Sequence, residues 1–341
     1  MTLHLVHWQR QTQRQLQSQI RRLLLAICGL ATLASHAAGI RFIEIPAGPD
    51  GPALQGAVWS PCKAPAERMV LSPLVIEGTR DCPVEGTQLP LVLVSHGSGG
   101  SALGHHDTAT ALADAGFVVA AIHHPGDNFR DLSRQGHLSA FATRPIDMRR
   151  LADYMLSTWP QHAQLNPMQI GLFGFSRGGY TGLVALGAQP RWTLRPDLCP
   201  ARSSLPLCAE IQRHELPAPP AADPRMRAAV IVDPLTMFDA KGLEPVNAPI
   251  QLWASAHGGD GVTLASVQAL RDDLPQPPEW HVADAGHFAF LAPCPPALVH
   301  AAPDICRDAP NFDRVVFHQS FNTQVVNFLK RHLVQGAVPA K

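Results

Sequence analysis

The sequence predicts an α/β fold with a mostly parallel central sheet and helices on both of its faces. Nearly continuous apolar runs recur along the chain, as in Leu89–Ser95 and Gln169–Phe175. Such runs are typical of strands that are buried on both faces. Segments with helical character lie between the runs, and this alternation indicates a parallel sheet. We therefore expect catalytic or binding groups at the edge where the strands have their carboxyl ends.

The elements follow one another in a regular order. Strands are predicted at Ile40–Ile45, Gln55–Trp59, Met69–Ile76, Leu89–Ser95, Phe117–Ile122, Gln169–Phe175, Ala228–Val232, Ile250–Ala254 and Trp280–Val282. Helices are predicted at Asp107–Ala115, Asp147–Trp159, Arg177–Leu186, Leu264–Asp273 and Ser320–Leu333. The stretch 190–224 breaks the alternation, because it is rich in Pro and Arg and has little periodicity. A long loop inside a domain is often functional, so we expect a lid-like insertion there, with a solvated surface loop as the alternative.

The first 37 residues have the pattern of a secretory signal peptide. Arginines at positions 10, 14, 21 and 22 precede an apolar run from Leu23 to Ala34, and the small residues around Ala37 follow it. The run is shorter than the roughly 18 residues that cross a bilayer. We therefore expect cleavage after Ala37, a single catalytic domain over residues 38–341, no stable membrane insertion afterwards, and a periplasmic or secreted location. A short membrane anchor is the alternative.

The charge balance argues against nucleic-acid binding, and the cysteine content agrees with export. Lys plus Arg and Asp plus Glu both number 27, so the chain has no basic footprint for nucleic acid. Removal of the signal would leave six of the seven cysteines, and an even number in an exported chain indicates disulfides. Neighbours in sequence close the shortest loops, which gives Cys62–Cys82, Cys199–Cys208 and Cys294–Cys306 as the expected pairs. Buried free thiols are the alternative.

The strongest motif is Gly174-Phe175-Ser176-Arg177-Gly178, which follows a predicted strand and opens a predicted helix. This is G-x-S-x-G in the setting of a nucleophile elbow. A sharp strand-to-helix turn would expose the Ser176 hydroxyl above the sheet. It would also aim the helix N-terminus at the reacting centre, where negative charge develops. The motif therefore predicts Ser176 as a nucleophile.

A second glycine-rich turn, Ser95 to Gly100, directly follows the strand at Leu89. We predict an oxyanion hole in which the backbone N–H groups of Ser98 and Arg177 are the donors. The stretch also fits a loose G-x-G-x-x-A dinucleotide fingerprint, but the next strand ends at Ile122 without the acidic residue that would hold a ribose.

A Ser hydroxyl needs a base to take its proton, and in this kind of fold the chain order is Ser, acid, His. His287 follows the last predicted strand, so a loop can fold it back over the elbow, and it is the predicted base. Two aspartates compete for the acid, because both follow strands that lie before His287. Asp260 is favoured, and Asp233 is the alternative.

No cofactor or metal is expected. The pairs His105-His106 and His123-His124 have adjacent side chains that point in different directions. No H-x-x-x-H spacing or C-x-x-C spacing supports a metal site.

These motifs resemble those of bacterial dienelactone-hydrolase-like proteins and of the platelet-activating-factor acetylhydrolase group of α/β hydrolases. The likeness lies in the HGSGG turn at 96–100, the GFSRGG elbow at 174–179 and the AGHFAFLAPC segment at 285–294. It implies an α/β-hydrolase fold from about residue 40 to 333. The acid follows the strand of Asp233 in the acetylhydrolases, and in many other α/β hydrolases it follows the next strand, which favours Asp260. Dienelactone hydrolases proper have a cysteine as nucleophile.

Together these features predict a serine hydrolase that cleaves a small-molecule carboxylic ester, either a carboxylesterase or a lipid acetyl esterase. Hydrolysis would proceed through an acyl-enzyme. A ligand-binding protein without catalytic activity and a peptidase on the same scaffold are the alternatives. The sequence leaves the acyl and alcohol groups and the oligomeric state open.

Overall fold

A ten-stranded sheet forms the framework of the part of the chain that the structure describes. The structure is a computed structural model that describes residues 38–192, 199, 203–218 and 222–335. The predicted signal peptide lies outside these residues, as does part of the predicted insertion at 190–224. The strands are β1 Gly39–Ile45, β2 Leu54–Ser60, β3 Glu67–Leu71, β4 Leu74–Arg80, β5 Leu89–Ser95, β6 Val118–Ile122, β7 Leu165–Phe175, β8 Met226–Val232, β9 Ile250–Ser255 and β10 Glu279–Ala283.

The strand order places the central strands beside one another in parallel. The order across the sheet is β10-β9-β8-β7-β5-β6-β2-β1-β4-β3. The six strands from β10 to β6 pair in parallel, whereas β2 pairs antiparallel with both β6 and β1. The carboxyl ends of β5 to β10 therefore meet at one edge of the sheet, as the sequence predicts.

Helices cover both faces of the sheet, and each face has its own apolar core. The helices are α1 His106–Asp114, α2 Leu138–Ser157, α3 Arg177–Ala185, α4 Pro206–Gln212, α5 Ala240–Leu243, α6 Leu264–Asp273, α7 Pro296–Ala301, α8 Pro303–Cys306 and α9 Arg314–Leu329. Alternate residues of β5 point to opposite faces. Leu91 and Leu93 belong to the core beneath α2, α3 and α6, and Val92 and Val94 to the core beneath α1 and α9.

Several predicted elements differ from the structure in their bounds, among them α9, which begins at Arg314 and not at the predicted Ser320. Residues 69–76 form two antiparallel strands, β3 and β4, instead of one strand, and they turn at Ser72–Pro73. Proline cannot donate to a strand ladder, so a strand interrupted there folds back as a hairpin. Helix α2 begins at Leu138, well before the predicted Asp147, and contains Pro145. Proline usually ends or kinks a helix, but Pro145 lies inside α2.

The structure contains the three expected disulfides, Cys62–Cys82, Cys199–Cys208 and Cys294–Cys306. Cys62 and Cys82 flank the β3–β4 hairpin. Cys294 precedes α7, and Cys306 is the last residue of α8. Within the part of the chain that is described, no helix has both the length and the apolar character needed to span a membrane.

Candidate active site

The sequence-predicted groups gather at the carboxyl edge of the sheet. Ser176 directly follows β7, Asp233 directly follows β8, and His287 lies in the turn after β10. The glycine-rich turn with Ser98 follows β5, the neighbour of β7. The topology therefore brings together groups that are far apart in the chain.

Ser176 lies on a strained turn between β7 and α3. Its backbone has φ 56° and ψ −119°, a conformation that side chains with a Cβ rarely adopt. Such strain costs on the order of 1–3 kcal/mol and is common at functional sites. The turn is fixed by a hydrogen bond from the Ser176 N–H to the Val232 carbonyl (2.9 Å) and one from the Leu235 N–H to the Ser176 carbonyl (3.1 Å). The geometry is that of the predicted elbow.

The glycines of the elbow are required by close backbone packing. A Cβ at Gly174 would collide with the carbonyl group of Gly178, and a Cβ at Gly178 would collide with the carbonyl group of Ser95. The second contact joins the elbow to the turn after β5. Any side chain at position 178 would therefore push apart the two segments that carry Ser98 and Ser176.

His287 forms a short, buried pair with Asp233. Nδ1 of His287 lies 2.6 Å from Oδ2 of Asp233, and the two side chains are 1% and 0% exposed. Ser255 supports the carboxylate, because its N–H donates to Oδ1 (2.8 Å) and its hydroxyl donates to Oδ2 (2.6 Å). A carboxylate offers only acceptors, so the hydrogen bond requires a proton on Nδ1 of His287.

The pairing differs from the sequence-based preference for Asp260. The Asp260 side chain is exposed, and in the described structure it makes no hydrogen bond to His287. The loop after β9 contacts His287 through its backbone instead, because the His287 N–H donates to the Gly258 carbonyl (2.9 Å). Asp260 lines the same cavity but is exposed, whereas Asp233 directly follows a central strand and is the carboxylate paired with the imidazole.

Ser176 and His287 line the same cavity, which has a volume of about 880 Å³. Nε2 of His287 is buried and has no hydrogen-bond partner among the described residues. The ring also packs against Phe175, the residue before Ser176, with 4.7 Å between the ring centroids. Nε2 therefore makes no hydrogen bond to the Ser176 hydroxyl in this structure, although both residues line one cavity.

Two backbone N–H groups near Ser176 are unpaired in the described structure. Arg177 is the first residue of α3, so its N–H has no acceptor within the helix. The Ser98 N–H likewise makes no hydrogen bond within the described residues. Both residues belong to the segments that the backbone contact between Gly178 and Ser95 brings together. These are the groups that the sequence predicts as oxyanion donors.

Asp127 joins these two segments through its side chain, and no sequence motif points to it. Its Oδ1 accepts from the Gly99 N–H (2.9 Å) and more weakly from the Ser98 hydroxyl (3.4 Å). Its Oδ2 accepts from Arg177 Nη1 (2.8 Å) and from Arg144 Nε (2.9 Å). Burial alone would raise the pKa of Asp127, but the two guanidinium charges outweigh this effect and lower it.

Arg144 and His96 fix the carbonyl side of the glycine-rich turn. Arg144 donates to the carbonyls of His96 (2.6 Å) and Gly97 (2.9 Å). The His96 ring is bonded at both nitrogens, to the Gly97 carbonyl (2.7 Å) and to the His124 N–H (3.2 Å). Burial lowers the pKa of His96 well below its usual value, so the ring is neutral. Both ring nitrogens of His96 are therefore used in hydrogen bonds to the backbone of the turn and of His124.

A second hydrogen-bonded series of a serine, a histidine and an aspartate side chain lies inside the fold. The His124 ring lies between the Ser95 hydroxyl and Asp147, with 3.0 Å on each side. Burial raises the pKa of Asp147 to about 7. All three side chains are buried, and none of them lines the cavity. These hydrogen bonds therefore hold the end of β5 in place, away from the cavity.

The histidine pairs do not form a metal site. Within the described ranges no cluster of three or more His, Cys, Asp or Glu side chains has the arrangement of a metal site. His105 packs between Phe173 and Phe175, with ring centroids 5.0 Å and 5.3 Å away. Nδ1 of His123 accepts from the Ala102 N–H (3.2 Å).

Solved structures share this architecture. A ferulic acid esterase from Streptomyces cinnamoneus superposes with a TM-score of 0.61 at 18% identity, over 91% of this chain and 95% of that one. A cold-adapted esterase from an Arctic intertidal metagenomic library superposes with a TM-score of 0.49 at 17% identity, over 86% and 94% of the two chains. No protein-family model matches the sequence, and no curated protein matches it.

The chain thus has the α/β-hydrolase fold, with a mixed central sheet and helices on both faces. At this identity the likeness concerns the fold alone. The narrower resemblance to dienelactone-hydrolase-like proteins and platelet-activating-factor acetylhydrolases stays a prediction.

Proposed function

We propose that this protein is a serine hydrolase that cleaves a carboxylic ester, with Ser176 as nucleophile, His287 as general base and Asp233 as the acid that orients the base. One observation carries the proposal. A serine on a strained strand-to-helix turn shares a cavity with a buried histidine whose Nδ1 is paired to a carboxylate and whose Nε2 is unpaired among the described residues.

The reaction would begin when Nε2 of His287 removes the proton of the Ser176 hydroxyl as Oγ attacks the ester carbonyl. Asp233 keeps the imidazole in the required tautomer and stabilises the cation that forms. The negative charge on the carbonyl oxygen would fall on the N–H groups of Ser98 and Arg177, and each such donor contributes about 3–4 kcal/mol in the transition state. The imidazolium then protonates the leaving alcohol.

The acyl-enzyme would be hydrolysed in a second half-reaction. His287 takes a proton from water as the water attacks the acyl carbon, and it then returns a proton to Ser176 as the acid is released. Both steps use groups of the chain alone. The ferulic acid esterase from Streptomyces cinnamoneus adds support from fold, because it matches over nearly its whole length.

We also propose that the protein acts outside the cytoplasm, in the periplasm or after secretion. The three disulfides favour an oxidising compartment, and the predicted signal peptide agrees with it.

Hydrolysis of p-nitrophenyl acetate and butyrate by the purified full chain tests the proposal. We expect turnover by the wild type and a loss of about 10⁴-fold or more in kcat for Ser176→Ala. Ser320→Ala, at an exposed serine on α9, is the matched control and should keep full activity. A folded protein that cleaves neither ester, or that cleaves only p-nitroanilides of peptides, would contradict the proposal in favour of a binding protein or a peptidase.

A further inference from the structure

The cavity extends well beyond Ser176. Its volume of about 880 Å³ is in the range of sites that hold a whole drug-sized ligand, which is far more than an ester group alone requires. Some of the apolar side chains that line it come from segments far from the elbow in the sequence. They are Leu71, Pro73, Leu74, Leu291, Leu298 and Ile305. The part of the cavity that they line is called the apolar subsite below.

Two segments contribute walls of the apolar subsite, and a disulfide closes each of them. The β3–β4 hairpin provides Leu71 and Leu74 and lies between Cys62 and Cys82. The segment with Leu298 and Ile305 lies between Cys294 and Cys306. A closed loop has less freedom than an open one, so both walls are held in place before a ligand arrives.

The leucines of the hairpin connect the apolar subsite to the core. Leu71 and Leu74 are partly buried and pack against the apolar core beneath α1 and α9, and they also line the cavity. The hairpin is at the edge of the sheet, next to β1. The hairpin is therefore held by its contacts with the core, and its leucines give the cavity an apolar lining.

The side chains of the apolar subsite are uncharged, and the charged residues of the cavity lie where it is exposed. These charged residues are Glu44, Arg130 and Asp260, and all three are exposed. Burial lowers the pKa of His123 to about 4 and also lowers the pKa of His106, so both rings are neutral. A charged group inside the subsite would lose its hydration without gaining a partner.

We propose that the apolar subsite binds an uncharged, extended hydrophobic group of the ester, and that the β3–β4 hairpin determines this preference. The inference rests on the proposed ester hydrolysis. The group is the acyl chain or the alcohol chain, and both have the same chemistry. Each methylene buried against these side chains contributes about fourfold in kcat/KM, up to the length at which the subsite is filled.

The test measures kcat/KM on two series with the purified full chain. One series is p-nitrophenyl esters from acetate to decanoate, and the other is n-alkyl acetates from ethyl to octyl. Leu71→Glu places a charge in the subsite. Val70→Glu is the matched control, because the neighbouring Val70 is 70% exposed and does not line the cavity.

We expect kcat/KM to rise with chain length by at least tenfold in one of the two series, and that series identifies the group. Leu71→Glu should reduce the ratio of long-chain to short-chain kcat/KM by about tenfold or more, whereas Val70→Glu should leave this ratio unchanged. A flat or falling profile in both series, or equal effects of the two variants, overturns the subsite while the short-chain activity still supports the proposed function. Absence of turnover on every ester overturns both.

A different set of contacts carries a second inference, which concerns Asp127. Its carboxylate bonds on one side to the turn of Ser98 and Gly99 and on the other to the side chain of Arg177. Ser98 and Arg177 are the two residues whose N–H groups would receive the oxyanion. Asp127, Arg144 and Arg177 form a cluster of one carboxylate and two guanidinium groups. The cluster therefore has a net charge of one positive unit.

We infer that Asp127 is a positioning residue that sets the distance between the two oxyanion donors. Removal of its charge in Asp127→Asn should lower kcat for p-nitrophenyl butyrate by about 10- to 100-fold with little change in KM, because the donors act mainly in the transition state. The affinity for butylboronic acid, which forms a tetrahedral anion on a reactive serine, should fall by a similar factor.

Asp223→Asn is the control, since Asp223 is a buried carboxylate bonded to Arg225 at the start of β8, far from the carboxyl edge. It should lower the thermal unfolding temperature without a change in kcat or in the affinity for the boronic acid. A loss in Asp127→Asn that appears only in thermal stability, or only in KM, overturns the inference. If Asp127→Asn does not fold, Gln135→Ala tests it instead, because Gln135 donates to the Ser98 hydroxyl (3.0 Å) and its loss should lower kcat and inhibitor affinity together.

Discussion

The imidazole of His287 lies 2.6 Å from the carboxylate of Asp233, although 54 residues separate them in the chain. Asp233 also accepts two hydrogen bonds from Ser255, so its carboxylate is held in one orientation. The buried pair therefore fixes the tautomer of the imidazole, and this property distinguishes Asp233 from the exposed Asp260.

Asp233→Asn should lower kcat by a factor of about 10³–10⁴, because an amide at this position favours the wrong tautomer of His287. Asp260→Asn should change kcat by less than tenfold. Steady-state hydrolysis of p-nitrophenyl acetate by both variants makes the comparison. The reverse order of effects would show that Asp260 is the acid and that the Asp233 pair is only structural.

Stability should fall in mild acid because of His105. Burial lowers the pKa of this histidine from 6.5 to about 4 in the folded state, so the unfolded chain takes up its proton first. The stabilisation is complete above pH 6.5 and is lost as the pH falls towards 4, a change on the order of 3 kcal/mol. His105→Phe keeps the ring between Phe173 and Phe175 but cannot titrate.

Urea unfolding at several pH values from 7 to 4 measures this effect. The wild type should lose about 3 kcal/mol more unfolding free energy over the range than His105→Phe. Parallel curves for the two proteins would mean that the buried ring does not exclude its proton.

Gly178→Ala should destabilise the protein by several kcal/mol, because the new Cβ meets the backbone of Ser95. Backbone atoms on both sides leave no simple relaxation. Gly48→Ala is the control, since a Cβ there meets nothing within 4 Å, and its effect should be about 0.5 kcal/mol or less. Chemical denaturation gives both values, and a similar small effect for the two variants would contradict the close contact.

Removal of the Cys62–Cys82 disulfide by a double Ser substitution should lower the free energy of unfolding by about 3 kcal/mol, because 20 residues separate the two cysteines. The double Ser variant of Cys199 and Cys208 is the comparison, with a slightly smaller expected loss for a separation of 9 residues. Thermal or chemical unfolding of the oxidised proteins measures both. Unchanged stability in both variants would show that these bonds do not restrict the unfolded chain.

The sequence was sufficient for features that depend on local order along the chain. Ser176 could be placed on the turn because a strand, a glycine-rich motif and a helix follow one another directly. His287 could be placed because it follows the last strand. The disulfides follow from the short spacing of their cysteines.

Features that depend on contacts between distant segments were out of reach. Two aspartates follow strands before His287. Only the folded structure shows that Asp233 is paired with His287, whereas Asp260 is exposed. Asp127 has no motif, since its role depends on Arg144 and Arg177, which are 17 and 50 residues away. The β3–β4 hairpin was predicted as one strand, so its place beside the cavity could not be seen.

The most direct test of the central claim is covalent labelling with a fluorophosphonate, which reacts with an activated serine. Mass spectrometry of the intact protein and of its peptides should find one adduct, on Ser176. Labelling should be slower by orders of magnitude in His287→Gln and absent in Ser176→Ala. A folded protein that takes up no label, or that is labelled equally well in Ser176→Ala, would contradict the account.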